Sequence, residues 1–345
     1  MQLSQFDYNL PEELIAQFPS KKRDNSKMLV LNKKSRSFEH KNFFNIVDLL
    51  GENDVLVMNN TKVIPARLIG KKNTGAVIEV FLLKEKKDKI WEVLIKPSKR
   101  IKPCTIIEIS DELKVKALEK IDDKWLVELI YEGNIYEILN KIGNIPLPPY
   151  IERKLASEDI KNLDYERYQT VYAQNPGSVA APTAGLHFTD EILQKLKKKG
   201  VQICYVTLNV GLGTFKPVKC GNILEHKMDS EIFEISEKTA EIINAAKKEA
   251  KNIVAVGTTS VRTLETVFKK HGKIVPCHDF SELFIYPGFE FGVVDKLLTN
   301  FHLPKSTLLM LVSALAERNF IFEAYNEAIK EKYRFYSYGD CMFIN

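Results

Sequence analysis

Ile253-Val254-Ala255-Val256-Gly257-Thr258-Thr259-Ser260-Val261-Arg262 is the stretch that decides the fold. Four apolar, mostly β-branched residues read as a buried strand, stopped by a glycine and three hydroxyl side chains. Leu264, Val267 and Phe268 then share one helical face, which predicts a helix over Val261–Lys270. Upstream, Ser236–Lys251 reads as a helix and Val201–Val210 as a strand. Thr189–Lys199 reads as a further helix, capped by Thr189, with Asp190 and Glu191 in its first turn and three lysines and Gly200 at its end. Downstream, a helix opens near Pro304 and runs through Leu308, Leu311, Val312 and Leu315. Strands alternating with helices predict an α/β domain with parallel strands.

The rhythm is different between Val63 and Tyr131. Six short period-two segments are expected there: Val63–Ile69, Val77–Leu83, Ile90–Ile95, Thr105–Ile109, Leu113–Leu118 and Lys124–Tyr131. With no convincing helix between them they predict a small barrel or sandwich. Pro146-Leu147-Pro148-Pro149 then marks a stiff linker. The first sixty residues, with strands at Leu29–Leu31 and Asp54–Met58 and a helix at Phe43–Leu50, suit the α/β part better. The fold expected is a large α/β domain with parallel strands, residues 1–62 and 148–345, carrying an inserted β-barrel domain, residues 63–147.

Composition narrows the function classes. The 345 residues are 45% hydrophobic and 28% charged, an ordinary globular mixture. No signal peptide or membrane-length apolar run is visible, so a cytoplasmic chain with no membrane partner is expected. Five scattered cysteines (104, 204, 220, 277, 341) suit reduced thiols. Cys277-His278 is a poor ligand pair, so no metal is expected. The net charge of +5 is unevenly spread. Lys62–Pro103 holds twelve Lys or Arg against four acids (Glu79, Glu85, Asp88, Glu92), a net of +8, which leaves the rest at −3. Such a block suits a polyanion, nucleic acid first; a merely solubilising surface is the alternative.

Four loops rich in glycine, hydroxyl and amide groups are candidate site segments: Asn59–Lys62, Gly177–Phe188, Gly211–Phe215 and Gly257–Arg262. Small residues admit close approach of backbone amides to a ligand, although a structural turn has the same composition. In open α/β sheets ligands gather at the carboxyl ends of strands. Gly257-Thr258-Thr259-Ser260 also opens a helix, where free amides favour an anion. Neither a Walker loop nor a dinucleotide fingerprint is present. For acid–base work the candidates are His187 and His302, then Asp229; His187 could equally be a satisfied core residue, and His302, just ahead of a helix, could cap it or meet a ligand.

Longer strings carry a resemblance. Asn59-Asn60-Thr61-Lys62-Val63-Ile64-Pro65-Ala66-Arg67, Pro146–Ile151, Glu166–Tyr172, Ser178–Thr189, Gly211–Val218, Val256–Arg262, Thr299–Pro304 and Tyr333–Asp340 resemble the S-adenosylmethionine:tRNA ribosyltransferase-isomerase family of the queuosine pathway. The resemblance implies transfer and isomerisation of the ribosyl group of S-adenosylmethionine onto 7-aminomethyl-7-deazaguanine at the tRNA wobble position. Epoxyqueuosine forms, and adenine and methionine leave. S-adenosylmethionine is then a substrate, no prosthetic group is expected, and the chain is expected to act as a monomer on tRNA. Substrate contacts are expected from Asn60, Thr61, Arg67, Pro182, Thr183, Gly185, Asn209, Gly211, Gly213, Thr214, Phe215, Gly257, Thr258, Thr259, Ser260, Arg262 and Asn300. RNA contacts are expected from Lys96, Lys99, Arg100 and Lys102. Many members carry His where this chain has Asn209, which can position a group but cannot titrate near neutrality. A methyltransferase using the same donor and a non-catalytic RNA-binding module are the rival classes.

Overall fold

A computed structural model describes residues 1–153, 157–211, 218 and 220–345. Among them nine strands form one mixed sheet, in the order Cys277–Ser281, Glu231–Ile235, Gln202–Leu208, Asp54–Asn59, Asn252–Val256, Lys296–Asn300, Cys341–Ile344, Lys27–Asn32 and Ser37–Asn42. The four strands from Gln202–Leu208 to Lys296–Asn300 run parallel. Their carboxyl ends therefore share one edge.

Alternate residues of these strands serve two cores, as strand geometry requires. Val55, Val57, Ile253, Ala255 and Leu297 join the side chains of helices Glu237–Lys248, Gly257–His271, Thr307–Ala316 and Arg318–Lys330. Leu56, Met58, Val254, Val256 and Leu298 face the other way, onto Phe188, Ile192, Leu193 and Leu196 around helix Asp190–Lys198. Burial on both faces explains why the strand at 253–256 reads as a continuous apolar run. None of the described helices is long and apolar enough to cross a membrane.

The inserted unit is a closed antiparallel barrel of six strands among the described residues: Arg67–Lys72, Val77–Lys87, Ile90–Lys96, Ile106–Ser110, Leu113–Ile121 and Lys124–Ile130. Inward residues alternate cleanly, for example Trp91, Val93 and Ile95. Two expectations need correction. The segment read as one strand from Val63 to Ile69 is broken at Pro65: Thr61–Val63 pairs with Asn175–Ser178 in a separate parallel ribbon, and the barrel begins at Arg67. A proline cannot donate to a ladder, which accounts for the break. The helix expected from Val261 starts four residues earlier, at Gly257. Gly257 has φ +81°, which lets the chain pass from strand to helix without a loop.

A short helical turn, Thr183–His187, lies beside strand Lys296–Asn300. Its Gly185 is needed for packing. A Cβ there would lie 2.0 Å from the Tyr172 hydroxyl and 2.8 Å from Thr170. Both side chains are buried, so neither can swing aside. Gly185→Ala is expected to cost roughly 1–3 kcal/mol by overpacking. Urea denaturation checks this, and a loss below about 0.5 kcal/mol would mean that the wall relaxes.

Candidate active site

The four parallel strands end in Asn59, Leu208, Val256 and Asn300, and residues after the last three border a cleft. Pro182, Thr183, Val210, Gly257, Thr258, Thr259, Asn300 and His302 line it, joined by Tyr150 and Tyr336 from elsewhere in the chain. Its cavity volume is about 70 Å³, and it opens to solvent.

Helix Gly257–His271 has no side-chain cap at its first residue. Its leading amides are thus available to an anion, with the dipole adding to the attraction. The Thr259 hydroxyl is buried and has no hydrogen-bond partner among the described residues. An unsatisfied buried hydroxyl is costly, and a ligand acceptor or donor at this wall would satisfy it. Ser260 and Arg262, expected in the same site, turn inward. Ser260 Oγ donates to the Val256 carbonyl at 2.8 Å. Arg262 forms a buried ion pair with Glu231 and donates to the carbonyls of Leu283 and Ser281. It ties the helix to the edge strands.

Asn300 connects two clusters. Thr183 Oγ1 donates to Asn300 Oδ1 at 2.9 Å, and Asn300 Nδ2 lies 3.3 Å from His187 Nε2. If this amide N–H donates to Nε2, the proton of His187 sits on Nδ1, 3.0 Å from Ser26 Oγ. Burial pushes the imidazole down to about 3, and the Arg334 charge adds to the shift. His187 is therefore neutral and reaches the cleft only through Asn300. His302 lines the cleft directly, with Nε2 3.0 Å from Thr299 Oγ1. Burial alone pushes it down to about 3. The helix that follows it is capped by Ser306, whose Oγ accepts from Leu309 N, so His302 is not spent on capping.

A second polar cluster adjoins Val210. Thr61 Oγ1 donates to Asn209 Oδ1 at 2.8 Å. Asn60 Oδ1 accepts from Thr207 Oγ1 at 2.7 Å. Gly177, at φ +146°, packs on the Asn209 amide, which a Cβ would approach to 2.8 Å. Asn209 is thus a positioned amide, as its chemistry suggests. Gly211 donates its amide N–H to Glu231. Gly213, Thr214 and Phe215 lie outside the described residues.

Two expected residues stand apart from the cleft. Asp229 is exposed and interacts electrostatically with Lys124 of the barrel and with His226. Arg67 pairs with Glu79 on the barrel surface. Lys96, Lys99, Arg100 and Lys102 are all exposed on the barrel, and none makes an ion pair among the described residues.

Sequence reasoning missed Tyr150, Tyr336 and Ser337 as wall residues. The Tyr150 and Tyr336 rings lie 4.7 Å apart, and the Tyr150 hydroxyl is 2.6 Å from Ser337 Oγ. Burial raises Tyr150 to about 12, so its proton stays on. Both tyrosines occur in the strings quoted above, but an aromatic residue after two prolines or beside a serine looks like core.

Residues 3–344 match the family model for a queuosine biosynthesis protein. The chain is 56% identical over 345 residues to the S-adenosylmethionine:tRNA ribosyltransferase-isomerase of Sulfurihydrogenibium sp., covering all of both chains. It is 53% identical to the enzyme of that name from Fusobacterium nucleatum, covering 99% of this chain and 96% of that one. A crystal structure titled S-adenosylmethionine tRNA ribosyltransferase, from Thermotoga maritima, is 36% identical, with a TM-score of 0.56 and coverage of 99% and 100%. A full-length family match and such identities leave one assignment: the chain belongs to the queuosine biosynthesis protein family.

Proposed function

We propose that this chain transfers and isomerises the ribosyl group of S-adenosylmethionine onto 7-aminomethyl-7-deazaguanine in tRNA, releasing adenine and methionine. The observation that carries this is the full-length identity of 56% to a relative of that name. The cleft supplies what the chemistry asks for. A carboxylate is suited to the free amides at Gly257–Thr259, beside the unsatisfied Thr259 hydroxyl. The Tyr150 and Tyr336 rings offer a surface to a purine or to the sulfonium. The first step needs a base at the carbon next to the sulfonium, and a neutral imidazole can accept that proton. His302 lies in the cleft wall, held by Thr299, and is our candidate for the base; His187 and Asn300 position Thr183 and the ligand. The acid Asp229, outside the cleft wall, is a lesser candidate.

The direct test is incubation with S-adenosylmethionine and precursor-bearing tRNA, followed by nucleoside mass spectrometry. Epoxyqueuosine with free adenine is expected. S-adenosylhomocysteine would instead mean methyl transfer, and no turnover would leave a binding module.

We further propose that the barrel, taken as residues 63–147, holds the tRNA while the α/β cleft performs the chemistry. The support is the +8 block and its unpaired surface charges. Replacing Lys96, Lys99, Arg100 and Lys102 together by alanine is expected to weaken tRNA binding. The slope of log affinity against log salt should fall by roughly 0.7–0.9 per lost phosphate contact. Affinity for S-adenosylmethionine should not change. An unchanged slope would move RNA recognition off this face.

A further inference from the structure

Behind the cleft lies a smaller concavity lined by Ser20, Arg23, Ser26, Arg167, His187 and Ser337. Ser337 belongs to both walls, and the 3.3 Å contact of His187 with Asn300 joins them. Its charge is unusual. Arg153, Arg262 and Arg334 each face a carboxylate, on Asp164, Glu231 and Asp340. Among the described residues Arg23 and Arg167 face none. They are held by backbone carbonyls only. Arg23 donates to Glu166 O at 2.9 Å, Leu186 O at 3.2 Å and Arg167 O at 3.4 Å. Arg167 donates to Ser20 O at 2.9 Å and Lys21 O at 3.4 Å, and its Nε–H is buried without a partner.

Carbonyls fix the two forks but cancel no charge. Burial is the largest influence on both groups, and Arg167 adds repulsion at Arg23; the Glu166 carboxylate opposes this from a distance. Guanidinium groups do not give up their protons in proteins, so both charges persist. Two pre-oriented, half-buried guanidiniums with N–H groups to spare match a phosphate, which takes forked donors in pairs. S-adenosylmethionine carries one carboxylate and no phosphate, and the cleft already offers helix amides for that carboxylate.

We propose that Arg23 and Arg167 form a phosphodiester-binding site for the RNA backbone next to the nucleotide being modified. This rests on the ribosyl-transfer reading above and extends it. The shared Ser337 wall sets the site beside the cleft. A phosphate held here fixes the register of the RNA, while the cleft reads the base. The exposed barrel lysines supply long-range attraction, and the arginine pair supplies position.

The test uses the full-length protein and an anticodon stem-loop RNA carrying the precursor base. Loop phosphates are replaced one at a time by neutral methylphosphonates. In the parent protein one replacement is expected to weaken binding about tenfold beyond the others. Arg23→Gln and Arg167→Gln should each weaken binding of the unmodified RNA about tenfold and lower the salt slope by roughly 0.7. On each variant that one methylphosphonate should cost less than in the parent, and on the double variant nothing further. Arg167→Lys keeps the charge and should keep the slope while losing part of the affinity. S-adenosylmethionine affinity should match the parent, whatever the loss of the carbonyl bonds does to thermal melting, and a merely structural tether would not move the salt slope. Parent-like RNA affinity and slope in both Gln variants overturn the site. So does a loss of S-adenosylmethionine affinity in place of RNA affinity. An RNA that the parent protein does not bind at all overturns this site together with the ribosyl-transfer reading.

Discussion

Replacing His302 by alanine is expected to slow adenine release by roughly 10²–10⁴-fold, the usual contribution of one general base. His302 is the imidazole in the cleft wall, held by Thr299 and surrounded by Phe301, Leu303 and Ser306. Burial keeps it unprotonated at any pH near neutrality. The parent enzyme should therefore show no loss of kcat/KM near pH 6.5 that is traceable to this group. Such low basicity is a cost to proton transfer, so the base role requires the bound substrate to raise the imidazole's proton affinity. His187→Ala should do less. That side chain reaches the cleft only through Asn300, so its loss should loosen Thr183 and Asn300 and raise KM more than it lowers kcat. The two effects need not add, since both residues border one network. Single-turnover release of adenine measures the chemistry apart from binding. A His302→Ala enzyme within about threefold of the parent would take the base role from His302. A bound water or a carboxylate would then be the better assignment.

The parts of the fold that were legible are those whose residues answer to one local rule. Ile90–Lys96 and Lys124–Ile130 alternate because the barrel has one inside and one outside, and their strands fall within a residue of expectation. Asn252–Val256 announced itself because both faces are buried. What failed involves partners distant in sequence. Helix Ile135–Ile142, which closes the barrel core with Ile135, Ile138 and Leu139, was not expected, because its Ile and Tyr residues fit a strand equally well. Glu231–Ile235 is five residues long and carries two glutamates, one of them buried, and the edge strands Cys277–Ser281 and Ser37–Asn42 are short and largely polar, so none shows an apolar run.

The site follows the same division. Thr183, Asn300 and Gly257–Thr259 are readable as candidates because strand ends and helix starts are written locally, and the fold brings them to one cleft. Ser260 and Arg262 were read as ligand contacts from the same string, yet one helical turn rotates them into the interior, where Ser260 bonds Val256 and Arg262 bonds Glu231. Tyr150, Tyr336 and Ser337 come from segments almost two hundred residues apart, and only the fold brings them together. The unpaired state of Arg23 and Arg167 is invisible in sequence, because it is a fact about carboxylates that are elsewhere.

Acid should unfold this protein steeply, starting below about pH 6.5. His187 and His302 are both pushed down to about 3 in the folded chain, whereas in the unfolded chain each takes up a proton near pH 6.5. Between those values the unfolded state binds two more protons than the folded state. Stability therefore rises with pH across the window and is lost as the pH falls from 6.5 toward 3. Each histidine contributes about 1.4 kcal/mol per pH unit, so the pair removes roughly 4 kcal/mol by pH 5. That is a large share of the ~5–15 kcal/mol that holds a typical domain together. Asp340 acts in the opposite sense. Burial raises its carboxyl, so protonation favours the folded state and offsets part of the loss. Urea denaturation at pH 7 and pH 5 measures the balance. His187→Gln and His302→Gln should each remove about half of the pH-dependent loss, whatever they do to stability at pH 7. The comparison is of slopes, so a general weakening by the substitution does not imitate the effect. If both variants keep the parent's slope, the imidazoles are not the neutral, buried groups on which the cleft's chemistry depends.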